Sequence, residues 1–356
     1  IREQAGRLAQ QNAEKIMLLV PEQYSFETEK AMLALLGPQQ VQNIEIMSFS
    51  RLNDAAFRAF GSSGIPELQD GGRNIFMHLA IEQVKNELEF YSVCGKEMIP
   101  MLLSISTELK MCALTPESLL ETAHKTADEK LRQKLREVGL ILSAYDALVA
   151  QSYLDPLDDL QRLAETFAQR RFFAGYHIYI DSFKGFTRQE FDLIALMMAQ
   201  AEQVSISLTC DTLDDDVGAE VFARVRNTAN LLLRLARQNG VKTAVPVALK
   251  PGARFANEAL RQVEAQVFSS VKQPQTGVPE QVEVYCAETV YGEAAFVGAT
   301  IRRLVMEQGY RYSDFAIIAR DLEDYRSILD TALEQYEVPY FMDTARCVYA
   351  EPLMCF

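Results

Sequence analysis

Short apolar runs alternate along this chain with longer segments in which apolar residues recur at helical spacing. The runs at residues 15–20 and 44–47 are too short for buried helices and are typical of buried strands. Residues 26–36 have helical spacing that ends at Gly37 and Pro38, and a second helical pattern follows the second run. This alternation of strand and helix predicts an α/β fold with a parallel sheet.

The pattern changes after the loop at residues 61–66. Residues 73–171 carry almost no strand signal, and their apolar residues recur at helical spacing. Within this region Thr115 and Pro116 indicate a helix start, because proline suits the first helical position. The sequence therefore predicts a large all-helical insert over residues 67–172.

The alternation of strand and helix resumes after the predicted insert. Strands are predicted at residues 176–181 and 204–209, and each is followed by a predicted helix, at residues 186–198 and 220–238. We therefore assign residues 1–66 and 173–268 to two parts of one α/β domain that the insert interrupts.

A polar segment that carries proline and glycine, residues 269–280, predicts a linker. A second α/β domain is predicted over residues 281–356, with three strands, at residues 281–286, 315–319 and 339–342. Two helices that each have one apolar face are predicted between these strands, one carrying residues 297–305 and one carrying residues 325–336. The chain opens within a helix without Met and stops at Phe356 without a closing element. We therefore expect a fragment whose second domain is truncated.

The charge of the chain limits the ways in which it can bind nucleic acid. Its formal net charge is -14, which argues against binding through a generally basic surface. A local basic groove and a partner that carries the positive surface are both compatible with this charge. No run of about 18 apolar residues is present, so no membrane span or membrane partner is expected.

The cysteines and histidines argue against a metal centre. The six cysteines are scattered without a C-x-x-C pair, and the three histidines lack H-x-x-x-H spacing. A disulfide framework and a zinc site are therefore not expected. The pattern favours a reducing, cytoplasmic location.

Four motifs occur in a fixed order along the chain: VPEQYSFE at residues 20–27, SFSRL at 48–52, YIDSFKGFT at 179–187 and DFAIIARDLEDY at 314–325. Together with the helical insert, they resemble the N-terminal, helicase-like half of the AddB subunit of AddAB-type helicase–nucleases, over nearly the whole chain. The resemblance implies the architecture of superfamily 1 DNA helicases. Both α/β domains are then RecA-like, of the P-loop NTPase type.

The resemblance also implies a nucleic-acid-binding edge where the first two strands end. SFSRL is similar to a helicase motif that contacts single-stranded DNA. Hydroxyls at a helix N-terminus bind phosphate, and aromatic rings stack on bases. The implied DNA-binding residues are Gln23, Tyr24, Ser48, Phe49, Ser50 and Arg51. The alternatives are a plain turn for Gln23 and Tyr24, and plain capping for the second motif, with Ser48 as a helix N-cap and Phe49 in the core.

A vestigial nucleotide-binding edge is implied at Asp181, Asp211 and Arg320. Asp181 matches the position of the Mg²⁺-linked aspartate, but Ser182 follows it where active helicases have a glutamate that positions water. The alternatives are a carboxylate bonded at a strand end for Asp181, a solvated acidic loop at residues 211–216, and a surface ion pair for Arg320.

The implied function is that of a component in DNA repair and recombination. It would process double-strand breaks with an AddA-type helicase–nuclease subunit, contact single- and double-stranded DNA, and read a Chi-like sequence on the unwound strand. ATP, Mg²⁺ and an iron–sulfur cluster are implied for the parent protein. This sequence has no phosphate-binding loop, since Gly95 and Lys96 lack its spacing, and no nuclease motif, so it is expected to be inactive alone. An active ATP-dependent DNA helicase and a pure protein scaffold remain alternatives.

Overall fold

The computed structural model describes residues 2–10, 15–61, 65–91, 96–214, 220–249, 255, 257–268 and 282–342. The chain divides into two compact units, Ile1–Leu249 and Lys250–Phe356. The predicted linker at residues 269–280 lies outside the described residues. No helix in the described part of the chain is long and apolar enough to cross a membrane.

In the described residues, a four-stranded parallel sheet forms the centre of the first unit. Its strands are β1 (Lys15–Leu19), β2 (Ile44–Met47), β3 (Tyr176–Ile180) and β4 (Gln203–Ile206), in the order β2-β1-β3-β4. Ile16 pairs with Ile44 on one side and with His177 on the other. The predicted α/β fold with a parallel sheet is confirmed, and its RecA-like character stays a prediction.

Helices cover both faces of this sheet, as the apolar strands require. They are α1 (Arg2–Gln10), α2 (Ser25–Gln40), α3 (Arg51–Phe60), α9 (Arg188–Gln200) and α10 (Ala223–Gln238). Successive residues of β1 point to opposite faces. Ile16 and Leu18 pack with residues of α1 and α2, whereas Met17 and Leu19 pack with residues of α3, α9 and α10.

The end of α2 differs from the prediction. The helix was expected to stop at Gly37, and there the backbone does leave helical geometry, with φ 76° and ψ 169°. Pro38 then opens a further helical turn, so the element runs to Gln40. Proline is tolerated at the start of a turn because its missing N–H has no helical partner there.

Where the structure describes the region of the predicted insert, it has five helices: α4 (Asp70–Val84), α5 (Ile99–Met111), α6 (Pro116–Lys125), α7 (Glu129–Val149) and α8 (Asp159–Arg170). Thr115 caps α6 by accepting a hydrogen bond from the backbone N–H of Ser118. Met77, Leu102 and Ile141 share a core of their own. By contrast, α8 packs into the sheet core. The domain limits themselves stay predictions.

The segment that leads from the sheet region into helices α4–α7 is paired with the segment that leads back. The backbone N–H of Leu154 donates to Pro66 O at 3.0 Å, and that of Leu68 donates to Leu154 O at 2.8 Å. Glu67 and Leu154 thereby form an isolated parallel bridge. The two connections between the sheet region and helices α4–α7 therefore lie side by side.

The second unit contains α11 (Glu258–Gln266), α12 (Val290–Gln308) and α13 (Leu329–Gln335). Apolar residues of α12 and α13 pack together, as the predicted faces require. The last helix is shorter than predicted, because Ser327 has φ 60° and separates it from a short 3₁₀ turn at Glu323–Tyr325.

The three strands predicted for the second unit are not paired in the described residues. Residues 282–287, 315–319 and 338–342 have no assigned secondary structure. Apolar side chains in them are open to solvent, with Val284 93%, Ile318 91% and Phe341 90% exposed. A strand needs a hydrogen-bonded neighbour, so the second RecA-like domain stays a prediction.

Candidate functional site

A cleft of about 530 Å³ opens at the carboxyl edge of the sheet. The strand ends lie level there, because Val20 N–H donates to Met47 O at 2.9 Å and Asp181 N–H donates to Leu19 O at 3.0 Å. The cleft is lined by residues that follow β1, β2 and β3 and by the start of α8: Pro21, Glu22, Ser48, Phe49, Ser50, Asn53, Pro156, Asp159, Leu160, Leu163, Phe183 and Glu190. Three of the six predicted DNA-binding residues, Ser48, Phe49 and Ser50, thus line one cavity, whereas Gln23, Tyr24 and Arg51 are not among its lining residues.

The turn after β1 presents two polar side chains to solvent. Residues Glu22–Tyr24 form a 3₁₀ turn, which the backbone N–H of Tyr24 closes by donating to Pro21 O at 2.9 Å. Gln23 is exposed, and Tyr24 is 45% exposed. Neither side chain packs into the core, so both are accessible at the predicted edge.

Glu22 connects this turn to the end of β2. Ser48 Oγ and Ser50 Oγ both donate to Glu22 Oε2, and the two hydroxyl oxygens lie 2.8 Å apart. The hydrogen bonds from Ser48 and Ser50, with the nearby charge of Arg51, lower the pKa of Glu22. Ser48 is buried and its Oγ also accepts from the backbone N–H of Arg51 at 3.3 Å, which confirms it as the predicted cap of α3.

Arg51 lies at the start of α3 between two glutamates. Its guanidinium donates to Glu29 at 2.8 Å and approaches Glu22 at 3.6 Å. The Glu29 hydrogen bond is the main reason that the pKa of Arg51 is raised. About two fifths of the Arg51 side chain is exposed (41%), and exposed ion pairs contribute little. The guanidinium can therefore exchange a carboxylate for a phosphate.

Phe49 is buried, in agreement with the alternative interpretation that places it in the core. It is 6% exposed, and its ring makes edge contacts with Phe183 at 5.5 Å and with Phe186 at 6.3 Å. A ring packed in this way is not available to stack on a base, and the burial of a large apolar surface against two aromatic neighbours explains its position. Half-buried Phe183 is the aromatic ring that lines the cleft beside it.

Sequence reasoning missed the far wall of the cleft. Asn53 Nδ2 donates to Asp159 Oδ2 at 3.0 Å, across 106 residues of sequence. Burial raises the pKa of Asp159 to about 6, with further contributions from neighbouring carboxylates and against the opposing charge of Arg162. No local pattern links residues so far apart.

Glu190 on α9 is a second missed carboxylate, although a local signal was present. Thr187 and Glu190 form a capping box, in which Thr187 N–H donates to Glu190 Oε2 at 2.7 Å and Glu190 N–H donates to Thr187 Oγ1 at 3.3 Å. The T-x-x-E spacing is readable in the sequence. Burial raises the pKa of Glu190.

Asp181 is bonded at the end of β3. It accepts a hydrogen bond from Ser207 Oγ, and Arg2 Nε lies 3.7 Å from its other oxygen. Among the described residues, no group of three or more His, Cys, Asp or Glu side chains could hold a metal ion. Asp181 therefore has the hydrogen-bonded position of the alternative interpretation, and its described surroundings do not form a complete Mg²⁺ site.

The other two predicted nucleotide-edge residues each have surroundings of their own. Asp211 pairs with the buried Arg226 at 3.2 Å, while Asp215 and Asp216 of the same loop lie outside the described residues. Arg320 is exposed in the second unit. Of the two carboxylates expected as its ion-pair partner, Asp321 and Glu323, the second pairs with Arg326 at 3.2 Å. A nucleotide role for these residues stays a prediction.

Comparisons with known proteins agree on one family. The family model for the N-terminal region of AddB matches residues 1–264. A protein of Thermoanaerobacter sp. (strain X514), named as the B subunit of an ATP-dependent helicase/deoxyribonuclease, is 30% identical over 362 residues, which cover 100% of this chain and 32% of that protein. The Clostridium tetani protein of the same name is 29% identical over 348 residues, 95% of this chain and 30% of its own length. The chain thus spans about a third of the length of these relatives.

Proposed function

This chain belongs to the AddB N-terminal family, and from that membership we propose that it is part of the AddB subunit of a helicase/deoxyribonuclease that processes DNA double-strand breaks for recombination. Its own task is to bind or guide single-stranded DNA in the cleft at the sheet edge. Recognition of a Chi-like sequence on the unwound strand belongs to the same proposal.

One observation supports this function above the others: hydroxyls, an exchangeable arginine and an exposed aromatic ring meet at one edge. Ser50 and Arg51 lie at the start of α3, where the helix dipole favours an anion. Gln23 and Tyr24 follow Glu22 in the turn after β1, and Glu22 itself contacts Ser50 and Arg51. Ligands of open parallel sheets bind outside the carboxyl ends of the strands, which is where these residues lie.

The charge of the cleft suggests how a strand is oriented. Glu22, Asp159 and Glu190 line the cleft, whereas Arg51 lies outside its lining and pairs with the exposed Glu22 at 3.6 Å. Carboxylates repel phosphates, so we place the phosphate backbone along the rim at Arg51 and the bases toward the interior. A cavity of about 530 Å³ suits unstacked bases better than a duplex.

The remaining parts of the proposal rest on family membership and charge. The net charge of -14 suits a subunit whose AddA-type partner carries the positive surface and the motor activity. Ser182 follows Asp181 and its hydroxyl cannot replace the glutamate that activates water. We therefore propose DNA guidance, and not ATP hydrolysis, for this part of the protein.

The direct test uses the full-length AddB-type protein with its AddA-type partner and fluorescently labelled single-stranded DNA at low salt. Arg51→Ala is expected to weaken binding about fivefold to tenfold, about 1 kcal/mol, through one lost phosphate contact. Arg7→Ala is the matched control, because Arg7 is an exposed helix arginine paired with Glu3 at 3.9 Å on α1. No measurable binding by the complex, or equal effects of the two variants, contradicts the proposal.

A further inference from the structure

A short turn separates the DNA cleft from a second cavity. The junction turn, residues 155–159, begins where Asp155 Oδ1 accepts from the backbone N–H of Leu157 at 3.0 Å and ends at the first residue of α8. Pro156 and Asp159 line the cleft. Asp155 and Asp158 line a cavity of about 640 Å³ on the other side. The junction turn is therefore a shared wall.

Lys110, in the last turn of α5, holds this wall from the side of the insert. Its ammonium donates to Asp158 at 2.7 Å and to Asp155 at 2.9 Å, and lies 3.3 Å from Asp146 on α7. Only 12% of the Lys110 side chain and 2% of the Asp155 side chain are exposed. An ammonium has three N–H donors, so the three carboxylates use its full capacity.

The positive charge of Lys110 holds the three carboxylates of this cluster together. Burial alone lowers the pKa of Lys110, but the charges of Asp146, Asp158 and Asp155 together raise it. Lys110 is therefore charged at every physiological pH. Without it, three carboxylates share one partly buried space and repel one another.

The junction turn is also fixed to the sheet region. Gln189 Nε2 on α9 donates to Leu157 O at 3.1 Å, and Asn53 Nδ2 on α3 donates to Asp159 Oδ2 at 3.0 Å. Asn53 is two residues from Arg51 on α3. Lys110 is thus connected to α3 through Asp158 and the adjoining Asp159. Arg162 on α8 strengthens the turn by pairing with Asp159 and donating to Asp155 O at 3.1 Å.

We propose that Lys110 is a positioning residue for the DNA cleft. It does not contact the nucleic acid, but it fixes the position of the junction turn and therefore of Asp159. The helical insert thereby affects the shape of the cleft. The inference rests on the proposed single-stranded DNA function for its binding readout. Loss of the ammonium lets the junction turn move, which shifts Asp159 and releases Asn53.

The binding test uses Lys110→Met in the full-length AddB-type protein with its partner. Single-stranded DNA affinity is expected to fall about fivefold. The effect is expected to be non-additive with Asn53→Ala, because both changes release the same wall. Glu137→Gln is the matched control: this buried carboxylate of the insert accepts backbone N–H bonds from Glu89 and Tyr91 at 3.0 Å, away from the junction turn. It is expected to lower stability without lowering affinity.

Hydrogen exchange of the DNA-free protein separates this inference from the proposed function. In Lys110→Met, exchange is expected to rise in residues 155–160 and also in residues 48–53. Asp158→Asn, at a position that is 36% exposed, is a milder variant with the same expected direction if Lys110→Met does not fold. If wild-type protein binds no DNA, the proposed function fails while the exchange result still decides the inference. A rise in exchange that does not extend to residues 48–53, or equal affinity losses in Lys110→Met and Glu137→Gln, overturns the inference.

Discussion

The two cavities beside the junction turn hold carboxylates in opposite ways. On the insert side, Asp146, Asp155 and Asp158 surround the ammonium of Lys110. On the cleft side, Glu22 accepts hydrogen bonds from Ser48 and Ser50 and pairs with the partly exposed Arg51, and Asp159 pairs with the partly exposed Arg162. A buried cation shared by three carboxylates fills a site and stabilises the fold, whereas hydroxyls and separate, partly exposed arginines leave the space open. The difference indicates that the first cavity is structural and the second is available for a ligand.

The largest expected effect removes the central cation. Lys110→Met is expected to lower the free energy of unfolding by about 3 kcal/mol, the low end for a broken buried pair, because two of its carboxylates keep partial exposure. Urea denaturation followed by circular dichroism measures it. Lys85→Met is the control, since Lys85 pairs with Glu82 at 3.1 Å with both side chains about half exposed, and a loss under about 0.5 kcal/mol is expected. Similar losses of unfolding free energy in both variants would contradict a structural role for the Lys110 cluster.

A pair of aromatic substitutions sharpens the contrast between packing and binding at the cleft. Tyr24→Ala is expected to weaken single-stranded DNA binding by about 1–2 kcal/mol, because an exposed ring supplies stacking, while stability stays nearly unchanged. Phe49→Leu is expected to lower stability by about 1–2 kcal/mol through lost packing against Phe183, with little effect on affinity. Fluorescence anisotropy measures the DNA affinity of both variants, and thermal unfolding measures their stability. If Phe49→Leu loses affinity and Tyr24→Ala loses stability, Phe49 is the stacking residue.

Much of this arrangement was readable from local sequence. The four strands of the first unit were predicted because apolar runs of strand length mark parallel strands regardless of what surrounds them. The cap at Ser48 was predicted because it depends on residues only a few positions away. Strand ends of a parallel sheet meet at one edge, so Gln23 and Arg51 were placed at the same edge without any tertiary contact.

The contacts that sequence reasoning missed depend on distant residues. Asn53 and Asp159 meet across 106 positions, and no local pattern encodes that pairing. Phe49 had two compatible environments, and only the neighbouring rings of Phe183 and Phe186 decide between them. The extended segments of the second unit have strand-like sequences, but sequence pattern does not supply the neighbour that a strand needs.

The pH dependence of the cleft gives a smaller effect. The pKa of Asp159 is raised to about 6 in the folded protein, chiefly by burial, whereas an unfolded aspartate titrates near about 3.9. Ionised Asp159 therefore destabilises the fold above pH 6, and stability rises as pH falls from about 6 to about 4. Lowering pH from 7 to 5.5 also removes a negative charge from the cleft, so DNA affinity is expected to rise about twofold beyond the general effect of pH.

Asp159→Asn separates this effect from other titrations. The variant is expected to bind DNA about twofold more tightly at pH 7 and to lose most of the additional pH dependence. Burial also raises the pKa of Glu190 in the same cleft, so a residual dependence is assigned to that group. Affinity measured from pH 5 to 8 at constant ionic strength tests the assignment. An unchanged profile in Asp159→Asn excludes Asp159 as its source.

The smallest expected effect concerns the competition for Arg51. Glu29→Gln removes the carboxylate that lies 2.8 Å from the Arg51 guanidinium, and since the pair is exposed, stability is expected to change by less than about 0.5 kcal/mol. The arginine then lacks one competitor for phosphate, so affinity is expected to rise by less than about twofold. The gain is electrostatic and must shrink with added salt, because screening weakens charge interactions at the rim. Anisotropy across a salt series measures it. Because the Lys110 side chain is mostly buried, the same salt series should leave the affinity deficit of Lys110→Met unchanged. A deficit that disappears with added salt would show that screened surface charges act at both cavities.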